Sequence, residues 1–218
     1  PSLADSIRWY AGKSTKGREA LMSSIQTKRD LKLLIFSLKD EATVPMPTAW
    51  RKACDRIFFE EGRDVLGDMM TLTAVFGNKE TLRQVREFLA NESETLAQRR
   101  WAFDLLKRVN DSEATPIFAK LLDQPDFTSA VIPLLSRSAD PATATALMAR
   151  FTKLNDTDRS AVLGTLTSRP ELALPLLAAV KAGTFDKKHL SSLQIRQMRN
   201  LNHAEVNTLL DATWGKVN

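Results

Sequence analysis

Four basic side chains cluster around a tryptophan between residues 99 and 108. Arg99 and Arg100 precede Trp101, and Lys107 and Arg108 follow about two helical turns later. Cations placed beside an aromatic ring are the chemistry that binds phosphate groups. Acidic side chains nearby in the sequence offset part of this charge. The spacing predicts one helix whose Arg99, Arg100, Lys107 and Arg108 form a candidate interaction surface.

The densest acidic cluster could hold a hard cation, and it comprises Glu60, Glu61, Asp64 and Asp68. Asp64 and Asp68 are four residues apart, so they share one face of a helix. A cation cage needs more oxygen ligands than two side chains supply. Because Arg56 and Arg63 are interleaved with the acids, we expect a solvated, salt-paired helix face and no metal site.

Nucleophilic or acid–base catalysis would depend on a single cysteine and two histidines. Cys54 lies in an apolar stretch, which is typical of a small buried side chain. His189 and His203 have no second ligand at the four-residue spacing of a helical metal site. The sequence contains no glycine-rich phosphate loop and no Gly-x-Ser-x-Gly motif. We therefore expect no catalytic, cofactor-binding or metal-binding residue in this chain, and no enzymatic activity.

The net charge of +5 comes from 31 basic and 26 acidic side chains that are spread along 218 residues. A dedicated nucleic-acid binder usually carries a denser basic stripe. The four tryptophans are also far apart, which suits core anchors better than a base-stacking platform; they are Trp9, Trp50, Trp101 and Trp214. Nucleic acid is therefore not the partner we expect.

The elements that would position these groups are all helical. Leucine and alanine recur at spacings of three and four, which is the period of a helix and not that of a strand. Residues Ala97–Val109, for example, place Trp101, Leu105 and Val109 on one stripe. The longest apolar run, Leu172–Val180, is nine residues long and too short for a membrane span. The sequence thus predicts an all-α protein without a membrane span.

Helix-start signals divide the chain into short segments. Asp140 before Pro141 offers a capping side chain and a proline at the first helical position, and Pro170 repeats that placement. The remaining cap candidates each stand at a predicted helix start; they are Ser2 with Asp5, Thr27 with Asp30, Asn78, Asn155 and Asn202 with Glu205. The segment Lys39–Pro47 is predicted to be a loop, because the residue before each proline avoids the helical region.

A repeat of 29 residues relates three consecutive segments. Its aligned positions are Leu105, Leu134 and Leu163; Phe118, Leu147 and Leu176; and Leu122, Phe151 and Val180, with Ser112, Pro141 and Pro170 at the turns. The pattern indicates about seven antiparallel helix pairs, near 2–26, 28–60, 62–91, 94–123, 126–153, 157–182 and 189–214. We expect one HEAT/armadillo-like α-α superhelix, a solenoid over residues 1–218, although a plain helical bundle is the alternative.

Several stretches resemble the helical-repeat region of large bacterial membrane-bound dehydrogenases fused to cytochrome c. They are Pro45–Trp50, Val75–Asn78, Ser168–Pro170, Leu176–Gly183, Leu190–Ser191, Ile195–Leu201 and Trp214–Val217. In that family a sugar-dehydrogenase-like propeller precedes HEAT-like repeats, and a haem-binding cytochrome c domain follows them. The resemblance implies that these residues are the middle segment of such a protein in the periplasm or cell envelope, and it transfers no functional residue to this chain.

The predicted function is therefore a non-catalytic scaffold or protein-interaction module. The resemblance implies that it links a propeller-type dehydrogenase to a cytochrome c domain, so that haem c belongs to a downstream domain and the flanking domains are the partners. Two alternatives stay open at this point. One is a HEAT-like DNA-binding protein of the alkylpurine DNA glycosylase type, and the other is a free-standing adaptor solenoid with a different protein partner. The oligomeric state is not predicted.

Overall fold

A computed structural model of the chain describes residues 3–11 and 14–215. Every regular element in these residues is helical, so the prediction of an all-α protein is confirmed. The helices divide into two compact units, one over residues 1–111 and one over residues 112–218. That boundary falls inside the predicted pair 94–123 and separates its two helices. The prediction of a single domain concerns the joining of the two units and stays a prediction.

The first unit contains α1 Leu3–Tyr10, α2 Thr15–Leu21, α3 Lys28–Ser37, α4 Trp50–Glu61, α5 Leu66–Val75, α6 Lys79–Ala90 and α7 Leu96–Arg108. A 3-10 turn, Gly62–Val65, joins α4 to α5. Helix α3 packs against both α1 and α5, and α6 packs against α7. Helix α3 therefore lies beside the helices two places before and after it, whereas α6 and α7 pack together as consecutive helices. The predicted loop at Lys39–Pro47 is confirmed, and the N–H of Val44 fastens it to the carbonyl of Val75 at 2.9 Å.

The second unit contains α8 Thr115–Lys120, α9 Thr128–Val131, α10 Pro141–Arg150, α11 Asp156–Leu166, α12 Pro170–Lys181, α13 Ser192–Arg199 and α14 Ala204–Trp214. 3-10 segments extend three of these helices, over Leu121–Asp123, Ile132–Arg137 and Phe151–Lys153. Helix α12 packs against both α10 and α14, and α11 packs against the segment Ile132–Arg137. This unit thus repeats the packing of alternate helices seen in the first.

Helix starts follow the capping chemistry of the sequence. Thr27 forms a capping box with Asp30, and Asn78 and Asn155 accept hydrogen bonds from the third residue of their helices. Asp140 accepts from the N–H of Ala142 at 2.9 Å, with Pro141 at the first helical position. These side chains satisfy N–H groups that have no partner inside the helix.

The predicted cap at Asn202 is wrong. Asn202 has a φ of 52°, a left-handed conformation that asparagine tolerates better than most residues, and His203 is the N-cap of α14 instead. The sequence pattern placed the cap one residue early because Asn202 belongs to the turn that leaves α13. The predicted cap at Ser2 lies outside the described residues.

The side chains at the 29-residue register form the core. All of them are buried, from Leu105, Phe118 and Leu122 through Leu134, Leu147 and Phe151 to Leu163, Leu176 and Val180. Polar bonds between neighbouring helices join residues at about the same separation. Ser129 Oγ donates to the Asp158 carboxylate at 3.0 Å, and Thr165 Oγ1 donates to the Ile132 carbonyl at 3.0 Å. The repeat in the sequence therefore corresponds to a repeat of contacts.

Candidate functional site

The predicted cationic surface on α7 is divided between two different roles. Arg99 is buried, and its Nε donates to the carbonyl of Leu89 in the last turn of α6 at 3.0 Å. Arg108 is half-buried, and its guanidinium donates to the carbonyl of Leu38 at 2.6 Å, at the end of α3. Burial lowers the pKa of Arg108. Both arginines thus bind the ends of neighbouring helices.

Arg100 and Lys107 are exposed and share one face of α7, because seven residues correspond to about two helical turns. Asp104 is exposed on the same side, four residues after Arg100. Arg99 and Arg108 are nine residues apart and point to opposite sides of the helix. The structure therefore brings Arg100 and Lys107 together, with an acid between them, and does not gather all four predicted residues on one surface.

Capping of a helix end by an arginine recurs through both units. The capping arginines are Arg18, Arg56, Arg99, Arg108, Arg159, Arg169 and Arg199, and each donates to a carbonyl at or just beyond the C-terminal end of a helix. All of them are buried or half-buried. The last carbonyls of a helix lack an internal partner and carry partial negative charge, so a guanidinium satisfies both their hydrogen bonding and their field.

Carboxylates cap the N-terminal ends of two helices. Glu19 accepts from the N–H of Thr48 at 2.7 Å and from that of Ala49 at 3.0 Å, where α4 begins. The hydroxyl of Thr48, followed by these N–H groups, lowers the pKa of Glu19. Glu61 accepts from the N–H of Lys28, the first residue of α3, at 3.2 Å. One member of the predicted acidic cluster is thus a helix cap.

The acidic cluster has no geometry for a cation. Within residues 3–11 and 14–215, no group of three or more histidine, cysteine or acidic side chains is arranged around a common point. The predicted pairing with Arg56 is wrong, because that guanidinium donates to the carbonyls of Met22 and Ile25 at the end of α2. Arg56 reaches these carbonyls because the fold brings α4 near the end of α2, which the local sequence does not specify.

Cys54 is half-buried beside a cavity of about 410 Å³ that Met46, Trp50 and Thr73 also line. Burial, followed by the charge of Asp55, raises the pKa of the thiol to about 12. The thiolate is the reactive form of cysteine, so this residue is a poor nucleophile at neutral pH. The prediction of a small, mainly buried side chain fits this environment.

The two histidines have separate surroundings. His189 is exposed, and its ring packs tilted against Phe151 and edge-on against Phe185, with ring centroids 4.9 and 5.5 Å away. His203 is half-buried at the start of α14, and its Nδ1 has no hydrogen-bond partner in the described part of the chain. Both histidines belong to the second unit, whereas Cys54 belongs to the first. Neither unit by itself therefore contains a cysteine–histidine pair.

Two tryptophans act as anchors between helices. Trp50 is buried, and its Nε1 donates to Thr73 Oγ1 at 2.9 Å. Trp101 is half-buried, and its Nε1 donates to Thr71 Oγ1 at 3.2 Å. Trp214 is half-buried near the end of α14, and the side chain of Trp9 lies outside the described residues. The two anchored rings use their N–H groups within the fold and do not form a stacking platform.

A groove that sequence reasoning missed runs along α12 in the second unit. It has a volume of about 800 Å³, and its floor is the stripe formed by Leu174, Pro175, Ala178 and Ala182. Pro141 at the start of α10 and Leu209 of α14 line its sides. The groove exists because α12 packs between α10 and α14. The sequence signal for this groove was the spacing of apolar residues by three and four along α12. The buried face of the same helix has the same spacing, so the signal does not separate the two.

Charged side chains stand at the two ends of this α12 groove. Glu171 and Glu205 line it near the starts of α12 and α14, and Lys181 lines it near the end of α12. Glu171 pairs with Arg169 at 3.0 Å. Within the described part of the second unit, Glu205 and Lys181 have no ion-pair partner. The groove thus has an apolar floor, an acidic end and a basic end.

No family model matches this chain. No curated protein and no solved structure matches it either. None of the helices in residues 3–11 and 14–215 is both long and apolar enough to span a bilayer.

Proposed function

We propose that this chain is a non-catalytic helical-repeat scaffold that holds other protein domains at a fixed separation. The observation that carries the proposal is the packing of alternate helices in both units, α1 with α3 and α5 in one and α10 with α12 and α14 in the other. A helix pair that cannot bury its apolar stripe alone is stabilised by its neighbours, and stacking such pairs makes a stiff array. A scaffold needs this stiffness, and it does not need a reactive side chain.

The state of the reactive side chains supports a non-catalytic role. Burial raises the pKa of Cys54 to about 12, and no histidine belongs to the same unit. The distribution of arginines supports a protein partner over the DNA alternative, because the capping arginines are already bonded to carbonyls. The excess of basic over acidic residues therefore overstates the positive charge that is available to bind the phosphate backbone of DNA.

The resemblance to dehydrogenase and cytochrome c fusions extends the proposal to the parent protein. In this proposal the scaffold joins a propeller-type dehydrogenase to a cytochrome c domain in the periplasm or cell envelope, and its partners are those flanking domains. In this proposal haem c belongs to the downstream domain, and the scaffold supplies no residue that binds it. Reading the coding sequence on both sides of these residues tests this extension. We expect a Cys-x-x-Cys-His motif downstream.

Small-angle X-ray scattering of the 218-residue chain tests the proposed array. A compact chain of this length has a radius of gyration of about 17 Å. We expect a clearly larger value and an asymmetric distance distribution, because an array of stacked helix pairs is elongated. A radius near the compact value, measured on a monomer, would reject the solenoid in favour of a bundle.

Salt-dependent retention on duplex DNA separates the scaffold from the glycosylase-type alternative. We expect no retention at about 50 mM salt, where proteins that neutralise several phosphates bind strongly. Retention that weakens steeply with salt, together with release of alkylated base, would replace the scaffold by a DNA-processing function.

A further inference from the structure

The α12 groove has the length of a short helical segment. Its charged ends, Glu171 and Lys181, are ten residues apart on one helix, which corresponds to about 15 Å. A partner helix of about three turns has the same length. Between the ends, the partly exposed side chains of Leu174 and Pro175 and the exposed Ala178 offer apolar surface. An amphipathic helix with apolar residues at spacings of three and four could cover this floor.

Charge complementarity specifies the occupant further. Glu205 is exposed at the acidic end and Lys181 at the basic end, and neither has an ion-pair partner in the described part of the second unit. The first-turn position of Glu205 favours a negative charge, since it faces the positive end of the α14 dipole. Phosphate-rich ligands are disfavoured by Glu171 and Glu205 at the same end. The groove therefore favours a protein segment whose charges run in the opposite order.

We propose that the α12 groove docks an amphipathic helix of a partner domain, with a basic side chain against Glu205 and an acidic one against Lys181. This inference rests on the proposed scaffold function and names the surface and partner chemistry of that scaffold. Apolar burial along α12 supplies the affinity, and the charges at the two ends set the direction of the docked helix.

The experiment uses the full chain and two synthetic 14-residue helical peptides labelled with a fluorophore. Both carry leucine at spacings of three and four and a glutamate at the C-terminal end; one has two lysines at its N-terminal end, and the other has two glutamates there. Fluorescence anisotropy then gives the dissociation constants. We expect saturable binding, with the lysine peptide at least about fivefold tighter than the glutamate peptide.

Variants of the groove make the assignment specific. E205K should reverse the preference between the two peptides, and E205Q should abolish it. A178Q, which places a larger polar side chain on an exposed part of the floor, should weaken both peptides by about tenfold. E60K, an exposed substitution in the first unit, is the matched control and should change neither. Circular dichroism verifies that each variant is folded.

Any one of three results with the peptides would overturn the docking proposal: no saturable binding, an unchanged preference in E205K and E205Q, or unchanged dissociation constants in A178Q. Concentration-dependent self-association that blocks the peptide would also overturn it and assign the groove to a second copy of the chain. The scattering measurement is independent of the peptides. An elongated chain with an inert groove would leave the scaffold standing, whereas a compact chain would remove the scaffold itself.

Discussion

The guanidinium of Arg86 lies 2.7 Å from the carboxylate of Asp111, and their side chains are only 14% and 7% exposed. The pair ties the middle of α6 to the residues that follow α7. Removing one partner of a buried ion pair leaves the other charge uncompensated.

We expect D111A to lower the free energy of unfolding by about 3–5 kcal/mol, measured by urea denaturation. The matched control is E80A, which removes an exposed partner of Arg83 on the same helix. That pair is screened by solvent, so E80A should have little effect. Equal losses in the two variants would contradict the special role of the Arg86–Asp111 pair.

Arg108 should contribute to stability and not to charge-dependent docking. R108M leaves the carbonyls at the end of α3 without their guanidinium, and we expect a loss of about 1–3 kcal/mol in the free energy of unfolding. The neighbouring K107M alters an exposed side chain and should change that free energy by less than about 0.5 kcal/mol. A larger loss in K107M than in R108M would show that the assignment of the two residues is reversed.

Glu19 should make the stability of the first unit depend on pH. Its pKa is lowered in the folded state from an ordinary value of 4.5, so its contribution is fully present above that value and is lost as the pH falls through the folded pKa. We expect E19Q to be less stable than the parent at pH 7, with the difference shrinking below about pH 4. Thermal unfolding followed over this range measures it, and a difference that persists unchanged in acid contradicts the cap.

Cys54 should resist alkylation in the folded protein. A rise in thiol pKa from 9.0 to about 12 lowers the thiolate fraction at pH 8 by about a thousandfold. Mass spectrometry after iodoacetamide treatment should therefore show slow modification, and the same chain in concentrated urea should react rapidly. Comparable rates in the two conditions would place the thiol in solvent.

The repeated core positions should be sensitive to truncation. Leu147 is fully buried at the 29-residue register, and L147A should cost about 2–5 kcal/mol of unfolding free energy. Leu193 is 57% exposed on α13, so L193A is the matched control and should cost much less. Similar costs at both positions would show that the register does not define the core.

Most helix boundaries could be predicted from the sequence because they depend on local chemistry. The caps at Thr27, Asn78 and Asn155 involve atoms within three residues, and the start of α10 depends on a proline that immediately follows Asp140. The predicted pair at 157–182 corresponds to α11 and α12 with a difference of one residue at each end. The error at Asn202 arose because the pattern does not reveal that this residue adopts a left-handed conformation in the turn that leaves α13.

The candidate surface was less predictable because it depends on which helices become neighbours. Arg99 and Arg100 are adjacent in sequence, yet one bonds to the end of α6 and the other is exposed. Nothing in the local pattern distinguishes them, since the carbonyl of Leu89 becomes available only when α6 packs against α7. The α12 groove was missed for the same reason, because Leu174 and Leu209 come together only after α12 has packed against α14.

The capping arginines cross-link parts of the chain that are distant in sequence, a role that disulfides often have in extracellular proteins. Arg108 connects the end of α7 to the end of α3 across 70 residues of chain, and Arg56 connects α4 to the end of α2 across 31 to 34. With a single cysteine, the chain forms no internal disulfide. Its cross-links are guanidinium–carbonyl bonds, which are indifferent to reductants and oxidants, so the same architecture can be assembled on either side of a membrane.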